Sequence, residues 1–206
     1  MNPFDYFVAF YSIVLGLSVV ELLGGVARTI ESRSLAKTSR LTLLLALFIA
    51  LDLSSYWLQA WMLYRQAPVT MSMITHGLVA AGSYYVAAYL VFPRKLSLRP
   101  DVRDDHFWRT RRWVFGAVLM TNVLNIGTMA LLMGGLGFIG SAPYMAFIAT
   151  FYVACAVAVV APRGRFVVGA LVWLVMFSVI AILLDFGTTL EYAPWPISGM
   201  PGPASQ

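Results

Sequence analysis

A few polar side chains stand in stretches of this sequence that are otherwise apolar, and any chemistry must be sought among them. They are Glu21, Asp52, His76, Asn122, Asn125 and Asp185. A carboxyl group with carboxamides near it can take up and release a proton or hold a small cation. A second carboxyl or an imidazole can line the approach. In hydrocarbon such groups are expensive, since an ionised Asp at the centre of a spanning helix costs about 2.5–3.5 kcal/mol even on the mildest scale. Each must therefore face a neighbouring helix, a partner subunit or water.

Helical spacing gathers these residues into stripes. Asp52, Ser55, Tyr56 and Gln59 share a face; so do Thr121, Asn122, Asn125 and Thr128. His76 lies with Ala80, Ser83 and Ala87, Asp185 with Ser178, Ala181 and Thr188, and Glu21 with Tyr11, Val14, Ser18, Gly25 and Arg28. Depth along the helices groups Ser18, Asp52, Asn122, Asn125 and Ser178 as a midplane layer. Glu21 falls in the inner third within reach of Arg28. Folding the connection at Arg65 back on itself predicts His76 near Trp57 and Gln59, outward of Asp52.

The elements that must position these residues are membrane helices. About 20 mostly apolar residues are needed to cross roughly 30 Å of hydrocarbon, and six segments qualify: 4–27, 41–64, 69–92, 113–133, 144–161 and 166–186. The fold class expected is therefore all-α, a polytopic bundle of six transmembrane helices over residues 1–190, with no soluble domain. The first run is read as a helix rather than a signal peptide, because no Lys or Arg precedes it and no cleavage motif follows. Residues 191–206 carry Pro194, Pro196, Pro201 and Pro203 and are expected to form an external Pro-rich tail.

Composition agrees, with 60% hydrophobic residues against 11% charged. That excludes a soluble enzyme, a disordered chain and a nucleic-acid module. The net charge of +5 comes from 14 Lys and Arg against 9 Asp and Glu. Of the basic residues only Arg65 falls on one side of the expected threading; all the others fall in the three connections on the opposite side. By the positive-inside rule those connections are cytoplasmic and both termini lie outside, in an inner membrane. The basic stretch from Pro93 to Arg112 suggests contact with anionic headgroups through Arg109, Arg111 and Arg112, or a topology determinant alone. Tyr6, Tyr11, Trp61, Tyr64 and Tyr144 are expected in an outer aromatic belt, with Trp108 and Trp113 at the inner face.

Several strings resemble motifs without their context. Gly135, Gly137 and Gly140 spell a GxGxxG that joins two membrane helices instead of a strand and a helix. Asp185-Phe186-Gly187 lacks the rest of a kinase set. Asp52 is roughly 17 Å along its helix from the cytoplasmic side and Asp185 roughly 29 Å along its own, too far apart in level for a proton-sharing dyad. Two histidines at different levels supply neither an axial haem pair nor a zinc set, so no cofactor or metal is expected. Cys155, between two alanines, is read as a packing residue.

The expected function is passage of a small cation or proton through a polar path centred on Asp52, lined by Asn122, Asn125, Glu21, His76 and Asp185. The alternative is a non-transporting accessory subunit of a membrane complex; an intramembrane enzyme comes third. A homo-oligomer is plausible, since Gly16, Ala80, Gly82 and the alanines of the fifth helix permit close packing.

Overall fold

The computed structural model describes residues 3–31, 39–64, 70–93, 103–132 and 142–189. They form six helices, with no strand among the described residues: α1 (Pro3–Glu31), α2 (Arg40–Tyr64), α3 (Met71–Val91), α4 (Arg103–Leu132), α5 (Ala142–Val160) and α6 (Arg165–Thr189). Five are long and apolar enough to cross a membrane, while α5 offers a shorter apolar stretch, Met145–Val160. Their outward faces carry large apolar side chains such as Ile13, Leu23, Leu131, Phe166 and Leu183. In water such a surface would drive aggregation; in lipid it is the ordinary solvent contact. The protein is thus all-helical and suited to a membrane.

Each helix turns a narrow stripe inward. On α1 the buried positions are Phe7, Tyr11, Leu15, Ser18, Leu22, Gly25 and Thr29, at steps of three or four residues, the spacing of a close helix seam. That seam meets α3 in parallel. Phe7 and Tyr11 lie against Gly77 near the start of α3, and Gly25 takes the ring of Phe92 just past its end. The central position belongs to α2, which touches α1, α3, α4 and α6. Around it α4, α5 and α6 pack in sequence.

Helix ends follow local chemistry. Ser39 accepts from the amide of Leu41 at 3.1 Å, as expected of a cap, and Thr70 caps α3 by accepting from Met73 at 3.2 Å. The helix α4 begins at Arg103, ten residues before the apolar segment that starts at 113. A hydropathy window sees only the apolar part of a helix that continues beyond hydrocarbon. His106, in this added first stretch, lies 3.0 Å from the carbonyl of Leu90 and so ties α4 to the end of α3. Asp105 pairs with Arg163 at 3.1 Å, tying α4 to the connection before α6. The Arg65 hairpin, the 135–140 glycine run and the Pro-rich tail lie outside the described residues.

The α1–α3 seam makes a direct prediction. A methyl group on Gly25 would overlap the Phe92 ring, which is itself buried. Gly25→Ala is expected to cost about 1–3 kcal/mol through forced displacement of that ring. Gly16→Ala, whose methyl group would meet nothing within 4 Å, should leave the unfolding midpoint in mixed micelles unchanged or slightly raised.

Candidate functional site

Asp52 sits near the middle of α2, about 18 Å along the helix from Arg40 at 1.5 Å per residue. Its side chain is buried and forms no ion pair among the described residues. The partner it does have comes from α3: Tyr84 Oη donates to Asp52 Oδ2 at 2.7 Å. From α4, the Asn122 carboxamide stands beside both groups, with Nδ2 3.5 Å from Tyr84 Oη and bonded at 3.0 Å to the carbonyl of Val118. From α5, Tyr152 Oη donates to the Asn122 carbonyl at 3.2 Å. Four helices thus meet at one carboxyl. Ridge packing alone does not require this, because Leu or Phe would fill the same volume without a desolvation cost.

The two sides of Asp52 differ. Toward the basic ends of the helices the packing is dry: Phe48 stacks on Phe115 at 5.8 Å and approaches Phe151 at 6.4 Å, with Leu45, Ile49 and Val118 also buried. Toward the opposite end the interior is hydroxylated. Tyr56 lies one turn along α2, its ring 4.8 Å from that of Tyr84. The hydroxyls of Tyr11, Tyr56 and Tyr64 come close enough to interact, although those of Tyr11 and Tyr56 reach no partner at hydrogen-bonding geometry. Tyr64 Oη is 2.8 Å from His76 Nδ1. Phe7 and Tyr11 of α1 close the cluster, meeting the Tyr64 ring edge-on at 5.0 and 5.4 Å.

The expected site residues therefore divide. Asp52 and Asn122 are brought together. Asn125 lies one turn along α4, buried, with Nδ2 3.5 Å from Gln59 Oε1 and Oδ1 unpartnered. His76 joins the tyrosines, meeting Tyr64 rather than Trp57 and Gln59, which lie about two turns and about one and a half turns back along α2. Glu21 is elsewhere, 4.0 Å from Arg28 near the basic end of α1. Asp185 belongs to α6, but its side chain lies outside the described residues. Ser178 donates to the carbonyl of Leu174 one turn back.

Three expectations change on side-chain direction. Tyr11 and Tyr64, expected in the outer belt, are 3% and 2% exposed and face inward. Tyr6, 62% exposed, does face outward. Arg111, expected at lipid headgroups with Arg109 and Arg112, is 2% exposed. Its guanidinium donates to the carbonyls of Ala158 and Ala161 at the end of α5 and lies over the Trp108 ring. Position 111 shares the inner stripe of Phe107, Val114 and Val118, whereas Arg109 and Arg112 lie on the outer face and are exposed.

Tyr84 escapes a reading by polarity, and Tyr56 enters it only as a neighbour on the Asp52 face. Both count as apolar in a hydropathy sum, so their hydroxyls carry no signal there. The usable signal was spacing: Tyr84 sits at the level of Asp52 once the α2–α3 hairpin is folded. Among the described residues no group of three or more His, Cys, Asp or Glu side chains is placed to hold a metal ion.

No protein-family model matches the chain, and no curated protein or solved structure matches it. Fold and site together define an all-helical, membrane-suited protein with a buried carboxyl at the junction of four helices and a hydroxyl-lined interior on one side of it.

Proposed function

We propose that the chain is a six-span inner-membrane protein, basic connections in the cytoplasm and both termini outside, that passes a small cation or proton by way of Asp52. The observation that carries this reading is the Asp52 carboxyl itself: buried, without a cationic partner among the described residues, and held by a tyrosine and a carboxamide from other helices. Residues kept at such cost inside a membrane commonly mark a substrate or ion pathway. The phenylalanine layer on the cytoplasmic side and the tyrosines on the other suit a site open in turn to each face, with this conformation closed on the cytoplasmic side. Arg109 and Arg112 contact anionic headgroups there.

The test is ion flux in proteoliposomes. Wild-type protein is expected to carry flux, and Asp52→Asn to lower it by about tenfold or more, at least 1.4 kcal/mol in the barrier. Absence of flux from the wild type, or equal flux in the variant, overturns the reading.

A second reading, an accessory or self-associating subunit, draws on a shallow groove of about 470 Å³ along α5 and α6, lined by small residues including Ala149, Ala154, Gly169 and Ala170 beside Trp173. Small residues let another helix approach closely. Of the residues expected to permit association, Ala80 is already buried within the chain, while Gly16 and Gly82 remain open.

A further inference from the structure

We infer that the species handled at Asp52 is a proton and not a metal cation, and that it reaches the carboxyl from the tyrosine side through His76, Tyr64, Tyr56 and Tyr84. The inference rests on the proposed passage through Asp52 and names its cargo and route.

The first argument is the polarity of the ligands. A hard cation leaving water needs several oxygen atoms with lone pairs turned toward it. Around Asp52 the groups point the other way. Tyr84 gives its proton to Oδ2, and Asn122 presents its NH₂ group to the tyrosine oxygen while its backbone carbonyl is engaged by Tyr152. These are donors, suited to a carboxylate and unsuited to a second positive charge beside it. A proton needs one carboxylate lone pair and nothing more.

The second argument is continuity. From His76 to Asp52 every step is made by a group that can both donate and accept. His76 Nδ1 contacts Tyr64 Oη at 2.8 Å, the Tyr64 and Tyr56 hydroxyls are neighbours, and Tyr84 Oη is 2.7 Å from the carboxylate; between Tyr56 and Tyr84 the contact is of rings, 4.8 Å between centroids, with no hydrogen bond between their hydroxyls. The Tyr56 hydroxyl, with no partner at hydrogen-bonding geometry among the described residues, passes its proton to Tyr84 through a water. His76 Nε2 is buried and has no partner at hydrogen-bonding geometry among the described residues, so a water must deliver the proton; when Nε2 takes it, Nδ1 gives its own to Tyr64. Each tyrosine then accepts one O–H proton as it surrenders another, and Asp52 gains the last. One proton enters, one arrives, and no tyrosine keeps a charge. Beyond Asp52 the Phe48–Phe115–Phe151 packing offers no such group, and the buried Cys155 thiol of α5 is only a weak donor and acceptor, so the described route lies on the tyrosine side.

The experiment compares cargo and route in one preparation. Purified protein in liposomes is given a pH gradient, read by an internal dye, and in parallel tracer Na⁺ and K⁺. The expected result is proton flux that needs neither metal cation and that falls about tenfold in Tyr64→Phe and Tyr84→Phe. Na⁺ or K⁺ flux without proton flux overturns the inference and leaves cation passage standing. Proton flux indifferent to both substitutions overturns the route. No flux of any species from the wild type overturns both readings. Should a variant fail to fold, infrared spectroscopy of the wild type decides: a deuterium-sensitive carboxylic acid band, absent in Asp52→Asn, should persist in saturating Na⁺. Its loss to Na⁺ shows a metal cation competing for the carboxyl and overturns the inference.

Discussion

Arg111→Ala is expected to destabilise the protein by about 3–5 kcal/mol, while Arg112→Ala, one residue away, should stay within about 0.5 kcal/mol of wild type. The last turn of any helix leaves carbonyls without intrahelical donors, and they carry the negative end of the helix dipole. In α5 two carbonyls at this end, those of Ala158 and Ala161, receive the Arg111 guanidinium, whose flat side lies over Trp108 with the charge centre 5.4 Å from the ring centroid. Truncation removes two charge-assisted bonds, strands two carbonyls and opens a void between α4 and α5. Arg111→Lys keeps the charge but not the fork, and should recover part of the loss. Reversible unfolding in mixed micelles, followed by tryptophan fluorescence, measures all three. Equal effects of Arg111→Ala and Arg112→Ala would show that the buried contact contributes nothing beyond general charge.

The same residue shows where reading the sequence stops. Hydropathy locates helices because hydrocarbon length is fixed, and the six apolar runs agree with α1 to α6 except where a helix continues past the apolar part, as α4 does through Arg103–Arg112. Charge marks one end of the bundle, yet it says nothing of which arginine turns inward. That is decided by helical phase: Arg111 shares the stripe of Phe107, Val114 and Val118, and Arg109 and Arg112 do not. The phase could be read only by extending the fourth helix backward through its charged residues.

At the site, the cost of a buried carboxyl singled out Asp52, and depth alone put Asn122 beside it. The tyrosines required a further step. Tyr11 and Tyr64 lie near helix ends, where an aromatic ring fits an interfacial belt as well as an interior; only packing separates the two. Gly77 separates them here, because its missing side chain admits Phe7 and Tyr11 between α1 and α3 and draws them toward Tyr64. His76 then meets Tyr64, two turns along α2 from Trp57.

A double substitution at Asp52 and Tyr84 separates cohesion from function. Tyr84→Phe strips a buried carboxyl of its 2.7 Å donor and is expected to cost about 1–3 kcal/mol. Asp52→Leu leaves the Tyr84 hydroxyl with only the long contact to Asn122 and should cost a similar amount. Replacing both partners together strands neither, so Asp52→Leu/Tyr84→Phe should lie near wild-type stability, with a coupling energy of about 1–3 kcal/mol by double-mutant cycle. If the carboxyl serves only to hold α2 to α3, this variant keeps the protein's activity along with its stability. If the carboxyl carries a proton, the variant is stable and carries no flux. The second outcome is expected, because an apolar pair at this junction would hold the helices as well as the acid and its tyrosine do, and nothing in the packing requires the acid. Additive losses in the cycle would mean that the Tyr84–Asp52 contact is not an energetic unit, and retained flux in the stable double variant would remove Asp52 from the path.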